Sequence, residues 1–328
     1  MRDSCDRNID YLRISVTDRC NLRCVYCMPE TGIEFLPHEQ ILSYEEILRI
    51  CEQMAGLGLR KIKLTGGEPL VRKGLPWLVG QLKQIPGIES VTLTTNGLLL
   101  ESCLPGLAAA GLDAVNISLD TLDPREYQSI TRFAELDRVL EGIRAALAGP
   151  SGMAVKLNCV PLRTDHGKDQ ILNLAGLARH QPLHVRFIEL MPIGLGDAQQ
   201  GFGEQEIRDL LETHYGSLKP YRKRLGNGPC TYYELKGFAG KIGFISAISH
   251  KFCHQCNRVR LTSDGFLKTC LQYGEGMNLK QAIAGGISDD ELSQLIRTAV
   301  YHKPAAHQFG ESTGKSNLEK NMMSQIGG

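Results

Sequence analysis

Along the first part of the chain, two patterns of apolar and polar residues take turns, one with a short period and one with a longer period. Short runs such as Lys61–Thr65 change between polar and apolar residues at every position, and longer stretches such as Leu75–Gln84 carry apolar residues three or four positions apart. The first period predicts β-strands and the second predicts amphipathic helices. Ser43 and Glu46 resemble a capping box before one helical stretch, and Gly58 follows its end. The pattern indicates a repeated strand–helix unit.

Six such units are predicted. The strands cover residues 11–17, 61–65, 90–94, 114–120, 154–160 and 184–189, and the helices lie near residues 44–57, 75–84, 101–110, 124–148 and 168–179. This order gives a parallel sheet with right-handed crossovers. Because six units are too few for the usual eight-fold barrel, the sequence predicts an α/β fold with an incomplete (β/α)6 TIM-like barrel. An open doubly wound sheet is the alternative, since periodicity does not determine curvature.

The alternation ends at Met191 and Pro192, and a C-terminal extension follows. A helix is predicted near residues 204–214, short strands near 232–235 and 241–248, and a further helix near 289–301, before a polar tail. We therefore predict two regions, residues 1–192 and residues 193–328. The segments 194–203 and 218–229 carry no motif.

Composition and charge narrow the functional classes. The chain has 328 residues, with 37 Lys and Arg against 36 Asp and Glu, which gives a net charge of +1. This balance argues against a generally basic nucleic-acid surface. No apolar run approaches the roughly 18 residues of a membrane span. Eleven cysteines, an odd number without an apolar leader, indicate reduced thiols and a cytoplasmic location. We expect neither nucleic acid nor membrane as a partner.

Three cysteines follow the first predicted strand, at Cys20, Cys24 and Cys27. Cubane iron–sulfur clusters are usually held by four cysteine thiolates. A compact loop with three leaves one iron without a protein ligand, which a substrate or cofactor can coordinate. A zinc site with a distant fourth ligand and three buried apolar cysteines are the alternatives.

A second triplet lies in the extension, at Cys253, Cys256 and Cys270, with His254 inside the first pair. Zinc and an iron–sulfur cluster fit this spacing about equally well, although a ligand inside the two-residue turn would strain a zinc site. The other five cysteines are scattered and are predicted to be structural: Cys5, Cys51, Cys103, Cys159 and Cys230.

Several cations occupy strand positions that alternate with apolar neighbours. Arg13 and Lys63 do so in the first two strands, and Arg258 and Arg260 share one face of a strand beside the second triplet. A charge on a barrel face needs a partner. A triphosphate offers several, and Arg suits phosphate oxygens in a bidentate manner. The pattern favours a polyanionic substrate over a solvated pair of arginines.

Two glycine-rich stretches have different weight. Residues 66–69 (Gly-Gly-Glu-Pro) directly follow the second strand, and because paired glycines are common in turns they indicate little on their own. Glycines at this place allow close approach of the backbone to a ligand, and Glu68 can accept hydrogen bonds from an ammonium group. Residues 310–316 look like a phosphate-binding P-loop but are one residue short of the motif. No apolar strand precedes them and no helical pattern follows, so we reject that interpretation.

Taken together, Arg13, Tyr26 and residues 17–21 and 27–29 resemble the signature of radical S-adenosylmethionine (SAM) enzymes. Within that superfamily they resemble the GTP 3',8-cyclase family, which acts first in molybdenum-cofactor (molybdopterin) biosynthesis. Residues 252–271 match the auxiliary-cluster segment of the same family. The resemblance covers nearly the whole chain.

The resemblance implies two 4Fe–4S clusters, one of them in the extension, and SAM as cofactor. It implies cluster ligands Cys20, Cys24, Cys27, Cys253, Cys256 and Cys270. It implies SAM contacts from Tyr26, Gly67, Glu68, Ser118 and Met191. It implies GTP contacts from Arg13, Lys63, Thr94, Lys156, Arg258, Val259 and Arg260. It implies catalytic roles for Arg258 and Arg260, and for Gly327 and Gly328 at a C-terminus that reaches into the site.

The implied activity is that of a carbon–carbon bond-forming lyase. GTP would become (8S)-3',8-cyclo-7,8-dihydroguanosine 5'-triphosphate after a 5'-deoxyadenosyl radical abstracts the ribose 3' hydrogen. Implied partners are a flavodoxin-like or ferredoxin-like reductant and cyclic pyranopterin monophosphate synthase, which would receive the product. The chain is expected to be a monomer or a homodimer. A peptide-modifying radical SAM enzyme and a non-catalytic metal or electron-transfer protein are the alternatives. The first usually has more cysteines in its extension, and the second has no use for Glu68 or the barrel cations.

Overall fold

The computed structural model describes residues 1–149, 153–223, 225–309 and 318–327. The described strands are β1 Tyr11–Ser15, β2 Lys61–Thr65, β3 Ser90–Thr95, β4 Ala114–Ser118, β5 Ala154–Cys159, β6 His184–Ile188, β7 Lys219–Tyr221, β8 Thr231–Glu234, β9 Ile242–Ile245, β10 Arg258–Leu261, β11 Phe266–Lys268 and β12 Gly276–Asn278. The α-helices are α1 Tyr44–Gly56, α2 Leu75–Gln84, α3 Leu100–Ala109, α4 Pro124–Thr131, α5 Leu136–Ala148, α6 Gly167–Leu177, α7 Glu204–Tyr215, α8 Leu279–Ala284, α9 Asp289–Tyr301 and α10 Met323–Ile326. The predicted six strands and the helices between them are confirmed. The residues 310–316 rejected as a P-loop lie outside the described ranges.

Across the described parts of the chain, the strands form one sheet in the order β12-β11-β10-β1-β2-β3-β4-β5-β6-β9-β8-β7. β1 to β6 are parallel neighbours in sequence order. The extension adds β10 parallel to β1 and β9 parallel to β6, so it lengthens the sheet at both edges. Antiparallel strands complete each edge. The division at residue 192 stays a prediction.

Each strand of the parallel sheet has one apolar face and one polar face. Ile62 and Leu64 on β2 are fully buried in the hydrophobic core, together with Ile47 and Ile50 of the covering helix α1. Lys63 points the other way and, like residues of the other parallel strands, lines a central cavity. The sheet therefore curves around that cavity, which confirms the partial barrel over the flat doubly wound alternative.

The predicted capping box starts α1. Ser43 Oγ accepts a hydrogen bond from the Glu46 N–H at 3.1 Å, and the Ser43 N–H donates to Glu46 Oε2 at 2.7 Å. This pairing satisfies two backbone donors that a helix would otherwise leave exposed and fixes where the chain turns after the cysteine loop. Within the described residues, no helix combines the length and apolar character needed to cross a bilayer.

Candidate active site

The central cavity has a volume of about 500 Å³ and is bordered by residues of all six parallel strands. Eighteen of the predicted site residues border it, although they are scattered through the sequence: Arg13, Cys20, Cys24, Tyr26, Cys27, Lys63, Gly67, Glu68, Thr94, Ser118, Lys156, Met191, Cys253, Cys256, Arg258, Val259, Arg260 and Cys270. Gly327 contacts one of them, and Gly328 lies outside the described residues. The fold thus brings both cysteine triplets and the predicted cations to one space.

The first triplet lies in the loop that follows β1. A tight turn forms where the Cys27 and Met28 N–H groups donate to the Cys24 carbonyl at 2.9 and 3.0 Å. Burial raises the pKa of Cys20 to about 11 and that of Cys27 to about 12, and burial with the nearby Cys27 and Asp120 raises the pKa of Cys24 well above its usual range. Three thiols crowded in a buried space ionise together only when a bound cation compensates them. This donor set fits an iron–sulfur cluster.

The Gly-Gly-Glu-Pro turn is bound to the same loop. The Gly67 N–H donates to the Thr17 carbonyl and the Glu68 N–H donates to the Arg19 carbonyl, both at 2.8 Å. A Cβ atom on Gly67 would lie 2.5 Å from the Arg19 carbonyl oxygen. The glycine is therefore required by the close approach of the chain leading into Cys20, a reason that sequence reasoning, which considered only a ligand, did not supply.

Glu68 is almost completely buried, and its carboxylate accepts three hydrogen bonds from the chain. They come from Thr95 Oγ1 at 2.7 Å, the Asn96 N–H at 2.6 Å and the Leu70 N–H at 3.0 Å. Burial outweighs these bonds and raises the pKa of Glu68 to about 7. A carboxylate has about four lone-pair sites, so one is left for an ammonium donor.

Asn96 was not among the predicted site residues. Its Nδ2 donates to Asn21 Oδ1 at 2.7 Å, inside the first cysteine loop, while its backbone N–H bonds Glu68. Asn96 thus connects the end of β3 with the cysteine loop and the Glu68 turn. Its position directly after a predicted strand was the signal that could have identified it.

Tyr26 connects the cysteine loop with β4. Its hydroxyl donates to Asp120 Oδ2 at 2.7 Å, and Asp120 Oδ1 accepts the Val160 N–H at 2.8 Å. Burial raises the pKa of Asp120 to about 6. Asp120 borders the cavity close to Ser118 and was not among the predicted site residues.

The cations of the site form a row across neighbouring strands. The strand register places Arg260 of β10 opposite Arg13 of β1, and Arg13 opposite Lys63 of β2. The ammonium group of Lys63 makes no hydrogen bond or ion pair within the described residues, and burial together with Arg186 and Arg13 lowers its pKa well below the usual range. Burial also lowers the pKa of Arg13 and Arg260. A row of like charges, in which Arg260 is buried and Arg13 and Lys63 are half-buried, is costly unless an anion compensates it.

Arg186 extends this set and was missed by sequence analysis. It lies on β6, borders the cavity and donates to Asn158 Oδ1. The sequence feature that could have identified Arg186 is the same as for Lys63: a cation between apolar residues of a predicted strand. Lys156 on β5 donates to the Leu225 carbonyl, and burial lowers its pKa to about 8.

The segment 225–229, in which no motif was recognised, borders the cavity near the second cysteine triplet, where Asn257 Nδ2 donates to the Asn227 carbonyl at 3.5 Å. Asn227 Nδ2 donates to Ser90 Oγ at 3.2 Å, at the start of β3. Leu225 is the residue whose carbonyl Lys156 holds. This segment therefore covers the amino-terminal end of the parallel strands and limits the depth of the site.

The second triplet begins in a 3-10 turn, Cys253–Gln255. Burial raises the pKa of Cys256, but the charges of Arg258 and Lys303 outweigh it and lower the pKa to about 6. All three cysteines face the cavity, whereas His254 borders a neighbouring hollow. No three Cys, His, Asp or Glu side chains in the described ranges lie close enough together to hold a single metal ion. Three thiols that border one cavity form a donor set that suits an iron–sulfur cluster.

The chain's own tail enters the site. Arg260 Nη1 donates to the Gly327 carbonyl at 2.6 Å in a buried position. Gly327 has φ +90°, and a Cβ there would lie 2.9 Å from Ser15 Cβ, so only glycine fits this approach to β1. Ile326, before it, packs with Ile193 and Phe309 in a small apolar cluster. The sequence predicted the approach of the tail but not the helix α10 that leads to it.

Two family models match the chain. The Radical SAM superfamily matches residues 14–174, and Molybdenum Cofactor Synthesis C matches residues 183–309. The chain is 48% identical over 332 residues to a GTP 3',8-cyclase of Pelotomaculum thermopropionicum and 44% identical over 328 residues to one of Clostridium perfringens, with 100% of both chains covered in each case. The chain belongs to the GTP 3',8-cyclase family.

Solved structures agree with the fold of this radical SAM family. SuiB of Streptococcus suis bound to S-adenosylmethionine has a TM-score of 0.60 at 16% identity, covering 84% of this chain and 64% of that one. SuiB bound to the precursor peptide SuiA has a TM-score of 0.62 at 16% identity, covering 91% and 66%. At this identity the similarity shows the fold alone. It therefore does not support the alternative that this chain modifies peptides.

Proposed function

We propose that the chain converts GTP to (8S)-3',8-cyclo-7,8-dihydroguanosine 5'-triphosphate in the first step of molybdenum-cofactor biosynthesis. The observation that carries the proposal is the single cavity that both cysteine triplets, the Glu68 turn and the row of cations border. A cyclisation started by one cofactor on a second molecule needs both binding regions in one enclosed space, where positions are fixed and water is excluded.

The residues divide into two binding regions. Cys20, Cys24 and Cys27 would hold the first cluster, and the remaining acceptor site of Glu68 suits the α-ammonium group of SAM. When bound, this cluster and SAM supply a 5'-deoxyadenosyl radical that abstracts the ribose 3' hydrogen. Gly67, Tyr26, Ser118 and Met191 border the same cavity and would position SAM.

The opposite side would hold the nucleotide. Arg13, Lys63 and Arg260 offer a row of donors to a triphosphate, and Arg258, Lys156, Thr94 and Val259 border the same space. Binding an anion there compensates charges that the folded chain holds close together, so affinity for a polyanion follows from the mutual repulsion of these cations. Cys253, Cys256 and Cys270 would hold the second cluster next to these cations.

The finer partners belong to the same proposal. A flavodoxin-like or ferredoxin-like protein would supply electrons, and cyclic pyranopterin monophosphate synthase would receive the product. The chain would act in the cytoplasm as a monomer or a homodimer. The electron donor and the recipient of the product rest on the family resemblance, and the location rests on the number of cysteines.

The deciding experiment is product analysis after anaerobic incubation of iron-replete protein with SAM, GTP and a reductant. The cyclised nucleotide and 5'-deoxyadenosine are expected in equal amounts. The Cys24→Ala chain is expected to form neither compound. Its matched control is Cys103→Ala, because Cys103 lies in α3, away from the cavity. Formation of 5'-deoxyadenosine from the parent without any cyclised nucleotide would contradict GTP as substrate.

A further inference from the structure

The row of cations has a fourth member outside the cavity. The antiparallel register of β10 and β11 places Lys268 directly opposite Arg260, next to Arg13 and Lys63 in the same row. Lys268 is 2% exposed, which makes it one of the largest fully buried side chains in the described chain. A buried ammonium group needs a partner of opposite charge.

That partner comes from the C-terminal tail. Lys268 Nζ forms an ion pair with Glu319 Oε2, and the two side chains are 2% and 4% exposed. The other oxygen, Oε1, accepts the N–H groups of Lys320 and Asn321 at 2.9 and 2.8 Å. The Glu319 N–H donates to the Gln272 carbonyl at 2.7 Å. Glu319 therefore fixes both the place and the direction of the chain that enters α10.

Lys268 also contacts the loop that contains the last cysteine. Its Nζ donates to the Tyr273 carbonyl at 2.6 Å, and Tyr273 forms an isolated β-bridge with Leu318. Lys268 thus joins β11, the segment after Cys270 and the start of the tail. Both chain segments that it contacts border the cavity, through Cys270 and Met323.

Two neighbouring cations therefore hold the two ends of one short segment. Lys268 binds Glu319 at its start, and Arg260 binds the Gly327 carbonyl at its end. Between them, Ile326 packs in the apolar cluster with Ile193 and Phe309. Both ends of the segment are therefore bound to adjacent strands, and the Gly327 carbonyl lies beside Arg260.

We propose that Lys268 and Glu319 are positioning residues for the reaction, which fix residues 319–327 so that Gly327 reaches Arg260 in the cavity. Only the kinetic test of this proposal rests on the proposed function. Replacing one partner of a buried pair leaves the other charge uncompensated, so the segment is expected to leave its place. The cavity cations themselves are unchanged by such a replacement.

The test compares Glu319→Gln with the parent chain. Gln keeps an oxygen for the backbone donors of Lys320 and Asn321 but removes the charge that Lys268 needs. Hydrogen exchange of the amides of residues 323–327 is expected to accelerate at least about tenfold, the size of effect that a change of about 1.4 kcal/mol in local opening gives. This measurement needs no GTP and no SAM.

Kinetics give the second readout. The kcat for GTP cyclisation is expected to fall at least about tenfold while KM stays within about twofold, because positioning acts on the transition state and not on uniform binding. Iron content should equal that of the parent. Glu206→Gln is the matched control, since it breaks an ion pair with Arg163 that is exposed to solvent. It should change neither readout.

Lys268→Arg keeps the charge and should retain the parental exchange and kcat, whereas Lys268→Met should behave as Glu319→Gln does. If Glu319→Gln does not fold, this pair of Lys268 variants decides. Parental exchange at residues 323–327 in Glu319→Gln would overturn the proposal, and so would equal losses in Lys268→Arg and Lys268→Met. A parent chain that forms no cyclised nucleotide would contradict the proposed function, while the exchange result would still decide the positioning role.

Discussion

The two cysteine triplets face one cavity but have opposite electrostatic surroundings. The first lies beside the buried carboxyl groups of Glu68 and Asp120, and burial raises the pKa of its thiols. The second lies beside Arg258 and Lys303, whose charges lower the pKa of Cys256. The difference divides the cavity into a side suited to a cationic ligand such as SAM and a side suited to a polyanion such as GTP. Four groups of variants test this division.

The largest effect is expected on the carboxyl-rich side. Replacing Cys20, Cys24 and Cys27 together by Ala should abolish SAM cleavage and reduce the iron content from about eight to about four per chain, as expected for the loss of one of two cubanes. GTP binding should persist, because the cations are untouched. Iron analysis and assay of 5'-deoxyadenosine check this, with Cys103→Ala as control.

The same iron analysis tests the second triplet. Protein made under anaerobic, iron-replete conditions should contain no stoichiometric zinc. Zinc held by Cys253, Cys256 and Cys270 would remove the second cluster and favour the zinc interpretation of that spacing.

The next effect concerns the cation-rich side. Arg258→Ala and Arg260→Ala should each weaken GTP binding by roughly 1.5–3 kcal/mol, the scale of a lost hydrogen bond to a charged group. SAM binding should stay close to that of the parent. Calorimetric titration with each ligand measures both affinities, and Arg138→Ala, on the exposed side of α5, is the control. GTP affinity unchanged in both variants would show that the triphosphate binds elsewhere.

The tail should affect turnover more than either affinity. Deleting Gly327 and Gly328 is expected to lower product formation at least about tenfold, equivalent to about 1.4 kcal/mol in the barrier. Iron content and GTP affinity should remain near those of the parent, because Arg260 keeps its place in β10. The measurement is cyclised nucleotide formed per enzyme under reducing, anaerobic conditions. A parental yield would mean that the tail has no catalytic role.

The smallest effect is expected for Tyr26→Phe. It removes the hydroxyl that donates to Asp120 but keeps the ring and the backbone of the cysteine loop. The free energy of unfolding should fall by about 1 kcal/mol, the usual net value of one hydrogen bond. The KM for SAM should hardly change if the backbone of Tyr26 makes the SAM contact. Chemical denaturation and steady-state kinetics separate the two effects. A large rise in KM would assign the contact to the hydroxyl.

Local patterns predicted the barrel well because strand and helix periods are encoded over short windows. Lys61–Thr65, Leu75–Gln84 and Asp289–Tyr301 appear in the structure with the predicted ends. The three-residue strands β11 and β12 are too short for a period, and their positions are set by pairing with β10. Sequence analysis therefore could not place the extension in the same sheet as the barrel.

The site residues also differ in how far the sequence could predict them. The cysteines and Glu68 stand in dense motifs, so their spacing identifies them. Asp120, Arg186 and Asn96 act through partners far away in sequence, such as Tyr26 and Asn158, and no window contains both members. Glu319 is the extreme case, because nothing in the polar tail predicts its burial against Lys268.

The pairing of β10 with β1 has a consequence for how the protein is made. The six strands of the barrel emerge from the ribosome first, while β9 and β10, which cover β6 and β1, emerge in the last third of the chain. Until then both outer strands present unpaired backbone groups, a surface on which nascent chains associate. Contacts between such distant parts of a chain also slow folding. The risk of aggregation through these edges should therefore end only when the last third of the chain has been synthesised, and not when the barrel strands are complete.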